Sequence, residues 1–112
     1  MNDSTFKDYI LDQLDGLPGV RAKAMFGGFG LYRADKFFAC IIRERLYFKT
    51  DDESRKEYEA EGMKPFRYNA KMTLKTYFEV PAGVMDDPDL LVDWARRALE
   101  AASKKEKKGK KR

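Results

Sequence analysis

Three glycines set among aromatic residues form the stretch of this sequence that could most directly do chemistry. The segment AMFGGFGLY spans residues 24–32 and contains Gly27, Gly28 and Gly30. Glycine-rich loops hold phosphates when they lead from a strand into a helix, because the helix N-terminus supplies N–H donors and a favourable dipole. Here the pattern is G-G-x-G, and the residues that follow have the pattern of a strand hairpin. The glycines therefore favour a turn, a bulge or a close approach between two strands.

Residue types that commonly carry catalysis are scarce. Histidine is absent, which removes the most frequent general base and metal ligand. The one cysteine, Cys40, lies in the apolar segment FFACII and is predicted to be a buried, unreactive thiol. The sequence therefore predicts no catalytic residue, no cofactor and no metal ligand. It leaves open a carboxylate pair assembled from distant segments.

An acidic cluster precedes the last helical segment. Asp86, Asp87 and Asp89 could be read as ligands of a hard cation, but Ca²⁺ requires six or more oxygens with a characteristic loop spacing. The pattern D-D-P-D is instead typical of a helix start, with Asp87 as N-cap, Pro88 at the first helical position and Asp89 near the positive end of the dipole. The cluster therefore predicts a cap.

The compartment is predicted from segments that the sequence lacks. It has no apolar run of about 18 residues, which a membrane-spanning helix would need. The N-terminal residues MNDSTFKDY do not show the basic and then apolar pattern of a secretory signal. A lone cysteine fits a reducing compartment. We therefore expect a cytoplasmic protein with no membrane partner.

Positive charge is concentrated at the C-terminus. Residues 103–112 contain seven basic residues and one acidic residue, whereas residues 1–102 contain 16 basic and 18 acidic residues. This division predicts a folded domain over residues 1–102 and a basic, disordered tail over residues 103–112. The candidate nucleic-acid contacts are the basic residues of that tail: Lys104, Lys105, Lys107, Lys108, Lys110, Lys111 and Arg112.

A second set of basic residues alternates with tyrosines in the predicted strands. Aromatic and basic side chains on one sheet face can stack single-stranded bases, although such a pattern is more often a solvated face. Both interpretations stay open. The residues are Lys49, Lys64, Arg67, Lys71 and Lys75, flanking Tyr47, Tyr68 and Tyr77.

Apolar periodicity places the elements that must position these residues. It predicts helices over residues 6–16 and 88–102, and alternating strands from Val20 onward. The segment of residues 50–62 is predicted to be a mostly exposed helix with a capping box of Thr50 and Glu53 and a C-terminal Gly62. The strand of residues 71–80 is predicted to bury one face, through Met72, Leu74, Phe78 and Val80.

Grouped antiparallel strands with segregated helices indicate an α+β fold. We expect two layers, with an antiparallel sheet of about five strands and the helices on one face. The two long helices are expected to cover that face with an apolar stripe: Phe6, Ile10, Leu14, Leu91, Trp94 and Ala98.

Five motifs in order give the sequence a family resemblance. MFGGFGLY, LYFKTDD, PFRY, YFEVP and DDPDLLVDWARRA resemble the TfoX N-terminal domain family of bacterial competence regulators, over about residues 5–102. The resemblance implies a secretion-chaperone-like architecture in the order α-β-β-β-α-β-β-α. It also implies a bacterial cytoplasmic protein without a known catalytic set. Met25, Phe26, Gly27, Gly28 and Gly30 match the family's MFGG-x-G motif and resemble fold-defining residues.

The resemblance implies a single-domain, non-enzymatic interaction or regulatory module in competence or transcription regulation. We expect a protein partner, with the oligomeric state open between monomer and homodimer. The competence regulators carry a second helical domain where this sequence has a basic tail. Two alternatives therefore stay open: a nucleic-acid-associated protein that binds non-specifically through its tail, and a small enzyme with an unrecognised carboxylate site.

Overall fold

The computed structural model describes residues 3–25, 27–67 and 73–111, and it places side chains for residues 4–25, 27–67 and 73–103. The elements, in chain order, are helix α1 (Asp3–Gln13), strands β1 (Val20–Met25), β2 (Gly28–Arg33), β3 (Lys36–Ile42) and β4 (Arg45–Lys49), helix α2 (Asp52–Ala60), strands β5 (Pro65–Arg67) and β6 (Thr73–Glu79), and helices α3 (Ala82–Met85) and α4 (Pro88–Lys111).

The strands form one antiparallel sheet in the order β1-β2-β3-β4-β6-β5. The predicted α+β class and antiparallel sheet are confirmed. The sheet has six strands rather than about five, and four of them precede α2 where the family order has three. The reason lies at Gly27, whose positive φ of 77° turns the chain, so that β1 and β2 form a hairpin.

All four helices pack against one face of this sheet. The apolar residues enclosed there form the helix-side cluster, which includes Ile10, Leu14, Leu31, Phe38, Phe48 and Leu91. A register shift between β2 and β3 pairs Leu31 with Ala39 and Tyr32 with Phe37, so Phe38 is an extra, bulged residue. The predicted stripe is confirmed, except that Trp94 is only half-buried, with its ring 4.7 Å from that of Tyr58.

The other face of the sheet, the open face, carries a second apolar cluster made entirely of strand residues. This open-face cluster consists of Cys40, Ile42, Tyr47, Phe66 and Tyr77, with Phe37 and Leu74 packed against it. The prediction that β6 buries one face is therefore wrong, because Tyr77 is also buried. The register between β5 and β6 shifts between Pro65 and Phe66, which interrupts the simple alternation. Of the four predicted residues, Phe78 and Val80 are buried on the helix side as expected, Leu74 packs against the open-face cluster instead, and Met72 lies outside the described residues.

Local caps fix the ends of the helices. The capping box of α2 is formed by Asp51 and Ser54, not by Thr50 and Glu53. Thr50 is still tied to the sheet, since its backbone N–H and its hydroxyl both donate to the carbonyl oxygen of Thr76, at 2.6 and 2.9 Å. The helix therefore starts one residue later. Gly62 follows α2 with φ 78°, as expected for the C-terminal glycine.

The predicted cap of the last helix is confirmed. The backbone N–H groups of Asp89 and Leu90 both donate to Asp87 Oδ1, at 3.1 and 3.3 Å. Helix α4 continues to Lys111 in the described backbone, and the division into a folded domain over residues 1–102 and a disordered tail over residues 103–112 stays a prediction. Lysine is a good helix former, and basic residues suit the negative end of the helix dipole. In the part of the chain that the structure describes, no helix is long and apolar enough to cross a bilayer.

Candidate binding site on the open face

The glycine motif positions strands and does not form a phosphate loop, since Gly27 leads into β2, which contains Gly28 and Gly30, and not into a helix. A Cβ atom on Gly28 would collide with the backbone carbonyl oxygen of Ile41, and one on Gly30 would meet the thioether of Met25 and lie 2.9 Å from the Phe37 ring. The prediction of a close approach at Gly28 or Gly30 is confirmed. Phe26, the remaining residue of the motif, lies outside the described residues.

A row of aromatic rings crosses the open face. The ring centroids of Tyr32 and Phe37 lie 5.2 Å apart, and those of Phe37 and Tyr77 lie 5.4 Å apart. On the far side of the row, Tyr47 packs edge-on against Phe66 at 4.9 Å. We call these five residues the aromatic row. Tyr32 and Phe37 are half-buried, so part of each ring reaches solvent, whereas the other three form the buried floor.

Two lysines extend over this row. Lys23 Nζ lies 5.7 Å from the centroid of Tyr32, and Lys49 Nζ lies 5.4 Å from that of Tyr77. Lys49 is only 3% exposed, and its ammonium donates to Thr76 Oγ1 at 2.8 Å. Lys49 is thus packed among the buried residues of the aromatic row and is not a free surface charge. Lys23, in contrast, is exposed.

A basic concavity lies at the end of the sheet where β3 turns into β4. This basic groove has a volume of about 520 Å³ and lies between the β3–β4 turn and the start of β5. Its floor is apolar, formed by Ile42, Tyr47, Met63, Pro65 and Phe66. Its charged lining is Arg43, Arg45, Lys64, Arg67 and Glu79.

Basic side chains outnumber acidic ones in the lining of the groove. Four cations line it against one carboxylate, and Arg45 already pairs with that carboxylate, with Nη1 3.1 Å from Oε1 of Glu79. Burial, and then the nearby Glu79 charge, raises the pKa of the Tyr47 hydroxyl, so the floor stays neutral at physiological pH. Because residues 1–102 carry two more acidic than basic residues, this local excess is not a consequence of overall composition.

A smaller concavity lies at the other end of the strands, beside the β2–β3 turn. It has a volume of about 250 Å³ and is lined by Arg21, Ala22, Lys23, Tyr32, Ala34 and Asp35. The Arg21 guanidinium donates to the carbonyl oxygen of Ala34 at 3.2 Å, which holds the arginine against this turn. Both concavities therefore combine an aromatic wall with basic side chains.

Comparison with known proteins places this chain in a family. The model of the TfoX N-terminal domain matches residues 12–102, which include the glycine motif and the basic groove. The chain belongs to the TfoX N-terminal domain family. It is also similar to the DNA transformation protein TfoX1 of Aliivibrio fischeri, with 32% identity over 80 residues. The match covers 70% of this chain and 38% of that relative, so the chain spans well under half of the relative's length.

Within this TfoX N-terminal domain, some of the sequence-predicted basic and aromatic residues come together. The basic groove is lined by Tyr47, Lys64 and Arg67. Lys49 lies over the ring of Tyr77, in the buried part of the aromatic row. Tyr68 and Lys71 lie outside the described residues. So do the side chains of the tail, Lys104, Lys105, Lys107, Lys108, Lys110 and Lys111, and the whole of Arg112.

Sequence reasoning missed the groove residues Arg43 and Arg45. Their signal was the sequence R-E-R in a two-residue strand connection, which sets basic side chains at one end of the sheet. Both residues of that turn, Arg43 and Glu44, have positive φ, at 53° and 63°. This is the left-handed pair that a tight hairpin requires. The groove itself could not be predicted, since Arg45 and Arg67 lie on strands separated by β6.

Two other candidates for chemistry have structural roles in this TfoX N-terminal domain. Cys40 is fully buried, and burial raises the pKa of its thiol to about 12, so the thiol stays protonated as predicted. Asp86 accepts a hydrogen bond from the Tyr9 hydroxyl at 2.7 Å. Among the described residues, no three Cys, Asp or Glu side chains come together as a metal site.

Proposed function

We propose that this protein is a non-enzymatic regulatory module of the bacterial cytoplasm that acts in competence or transcription regulation by binding a partner through its open face. The observation that carries the proposal is the match to the TfoX N-terminal domain over residues 12–102. The relative from Aliivibrio fischeri is named a DNA transformation protein, which supports a role in the same process. The match covers only part of that relative, so the partner of this chain is proposed from the chain's own residues.

The chemistry of the open face supports binding rather than catalysis. The guanidinium groups of Arg43, Arg45 and Arg67 can attract anions through their charge and through paired hydrogen bonds. The carboxylate in the groove, Glu79, is held by Arg45. Cations around an apolar floor fit an anionic partner that also presents apolar surface.

Deletion of the gene in its source bacterium tests this proposal. We expect altered transcript levels of DNA-uptake genes and an altered transformation frequency, restored by the wild-type gene on a plasmid. The doubly substituted Lys64→Gln/Arg67→Gln gene should restore less, because it removes two charges from the groove. Lys56→Gln/Arg96→Gln removes two exposed charges elsewhere and should restore fully. A deletion strain with unchanged transcripts and transformation would contradict the proposal.

A second candidate function is non-specific nucleic-acid binding through the basic tail. It is favoured by the continuation of α4 to Lys111, which carries the six lysines of residues 104–111 on one helix. Counterion release would give a log–log salt slope of roughly −5 on duplex DNA if all six net charges of the tail engage phosphates. Replacing the six lysines by glutamine keeps good helix formers in place and should abolish most retention on duplex DNA at low salt. Equal retention of both forms on duplex DNA would show that the tail is not the binding element.

A further inference from the structure

We infer that the open face binds single-stranded nucleic acid, with phosphates in the basic groove and unpaired bases against the aromatic row. This inference rests on the proposed function, since it takes the open face as the partner-binding surface and names the chemistry of the partner. It differs from binding through the tail, which needs only charge, because the open face would also stack unpaired bases.

The basic groove has the chemistry of a phosphate site. Arginine presents a planar fork that binds phosphate oxygens through two parallel hydrogen bonds, and lysine adds a point charge. Three arginines and one lysine line this groove. Lys64 and Arg67 are exposed on β5 and the segment before it, so they can reach a ligand without rearranging the core.

The aromatic row supplies what a simple anion site lacks. Base stacking on aromatic side chains is worth about tenfold or more in affinity for each base, and it tolerates any sequence because every base has a π face. Tyr32 and Phe37 keep part of their rings in solvent, and Lys23 lies over Tyr32 beside them. Stacking requires unpaired bases, because a duplex hides their faces. The combination therefore favours a single strand over a duplex.

The placement of the two concavities fits an extended ligand. The basic groove lies at the β3–β4 turn, and the smaller concavity lies at the β2–β3 turn, which is the opposite end of β3. The aromatic row runs between them from Tyr32 on β2 to Phe66 on β5. A strand that crosses the sheet diagonally would meet cations at both ends and rings in between. An acidic peptide would use the cations but has no planar bases for the exposed rings.

The test measures binding of full-length protein to a fluorescent oligothymidylate of about 12 nucleotides, a length within the usual site sizes of roughly 4–16 nucleotides. Fluorescence anisotropy gives the affinity at several salt concentrations. All variants are made both in the natural chain and in the chain with its six tail lysines replaced by glutamine, which separates the open face from the tail. Thermal unfolding confirms that each variant is folded.

Three variants divide the contributions. Lys64→Gln/Arg67→Gln should weaken binding at least about tenfold and reduce the log–log salt slope by about 1.4, since each lost single-strand phosphate contact contributes about 0.7. Tyr32→Leu should weaken binding about tenfold with the slope unchanged, since it removes stacking and no charge. The charge-matched control Lys56→Gln/Arg96→Gln should change the affinity less than about twofold. Duplex DNA of equal length should bind at least about tenfold more weakly to the tail-neutralised chain.

Several results would overturn the inference. One is loss of binding that is equal in the groove variant and the control, which would show a general charge effect. Another is an unchanged affinity for oligothymidylate in Tyr32→Leu. The same holds if the tail-neutralised protein binds no oligothymidylate at low salt. A further contradicting result concerns an acidic ligand. The groove substitutions would weaken the binding of a poly-glutamate peptide and leave the binding of oligothymidylate unchanged. Each leaves the gene-deletion phenotype untouched, so failure here is distinct from failure of the proposed regulatory role.

Discussion

The two faces of the sheet bury apolar residues by different means. On the helix side, four helices enclose a continuous cluster, and residues such as Phe38, Phe48 and Leu91 are fully removed from solvent. On the open face, the described residues of the cluster around Tyr47 and Tyr77 all come from strands, and the Lys49 ammonium lies over the Tyr77 ring. Lysine and arginine can cover apolar surface with their methylenes while the charged heads stay near water. A face covered in this way remains open to a ligand.

The difference indicates a division of labour. Among the described residues, the helix-side cluster is much the larger of the two, so its burial contributes more to the folding free energy. The open face keeps concave surfaces, partly exposed rings and cations, which helices would have covered. Under the proposed function, the packed helix side supports the sheet and the open face binds the partner.

The largest expected effect is the loss of stability caused by a cavity beneath the helices. Phe38→Ala should lower the free energy of unfolding by about 4–5 kcal/mol, the upper part of the range for a buried phenylalanine. Phe66→Ala should cost about 3 kcal/mol, because β5 is a three-residue edge strand that can relax toward the cavity. Urea unfolding of both variants measures the contrast. An equal or larger loss for Phe66→Ala would show that the open face contributes as much to folding as the helix side.

The next effect sharpens the role of the glycine motif at the open face. Gly28→Ala should cost about 3 kcal/mol, because its methyl group meets the backbone of Ile41, which cannot move without disturbing the β2–β3 pairing. The matched control is Gly83→Ala in helix α3, where a Cβ meets nothing within 4 Å. That control should be neutral or slightly stabilising, since alanine is the better helix former. Equal destabilisation by both substitutions would remove the close-approach argument.

The smallest effect depends on pH and concerns Cys40 under the open face. Its thiol has a native pKa of about 12 and an unfolded pKa of about 8.5. Above pH 8.5 the unfolded chain loses the proton and the native state does not, so stability falls as pH rises toward 12. Between pH 8 and 9.5 the wild type should lose about 1 kcal/mol more than Cys40→Ala, in paired urea titrations. Parallel losses would show that the thiol reaches solvent in the native state.

The helix side could be predicted from the sequence because its signals are local. The stripe Phe6, Ile10 and Leu14 repeats at helical spacing, and D-D-P-D marks the start of α4. The glycine motif also revealed a close approach, since three glycines in a strand context have few other physical reasons. The capping box of α2 was displaced by one residue because Thr50 is held by a tertiary bond to Thr76, which spacing along the chain does not show.

The open face could be predicted only in part. Central strands bury residues of both parities, as in β4, where Leu46, Tyr47, Phe48 and Lys49 are all buried, so alternation gives no sign of which face is covered. The basic groove combines residues from a turn, a loop and an edge strand, and only their pairing through β6 brings them together.

The most direct test of this division of labour is a ¹⁵N–¹H NMR titration of the full-length protein with oligothymidylate. We expect the largest shift changes at amides of the open face, in residues 42–47 and 62–67 and around Tyr32 and Phe37. Amides of α1 and of α4 up to Ala101 should stay nearly unchanged. Shift changes confined to residues 103–112, or concentrated on the helix side, would contradict a binding surface on the open face.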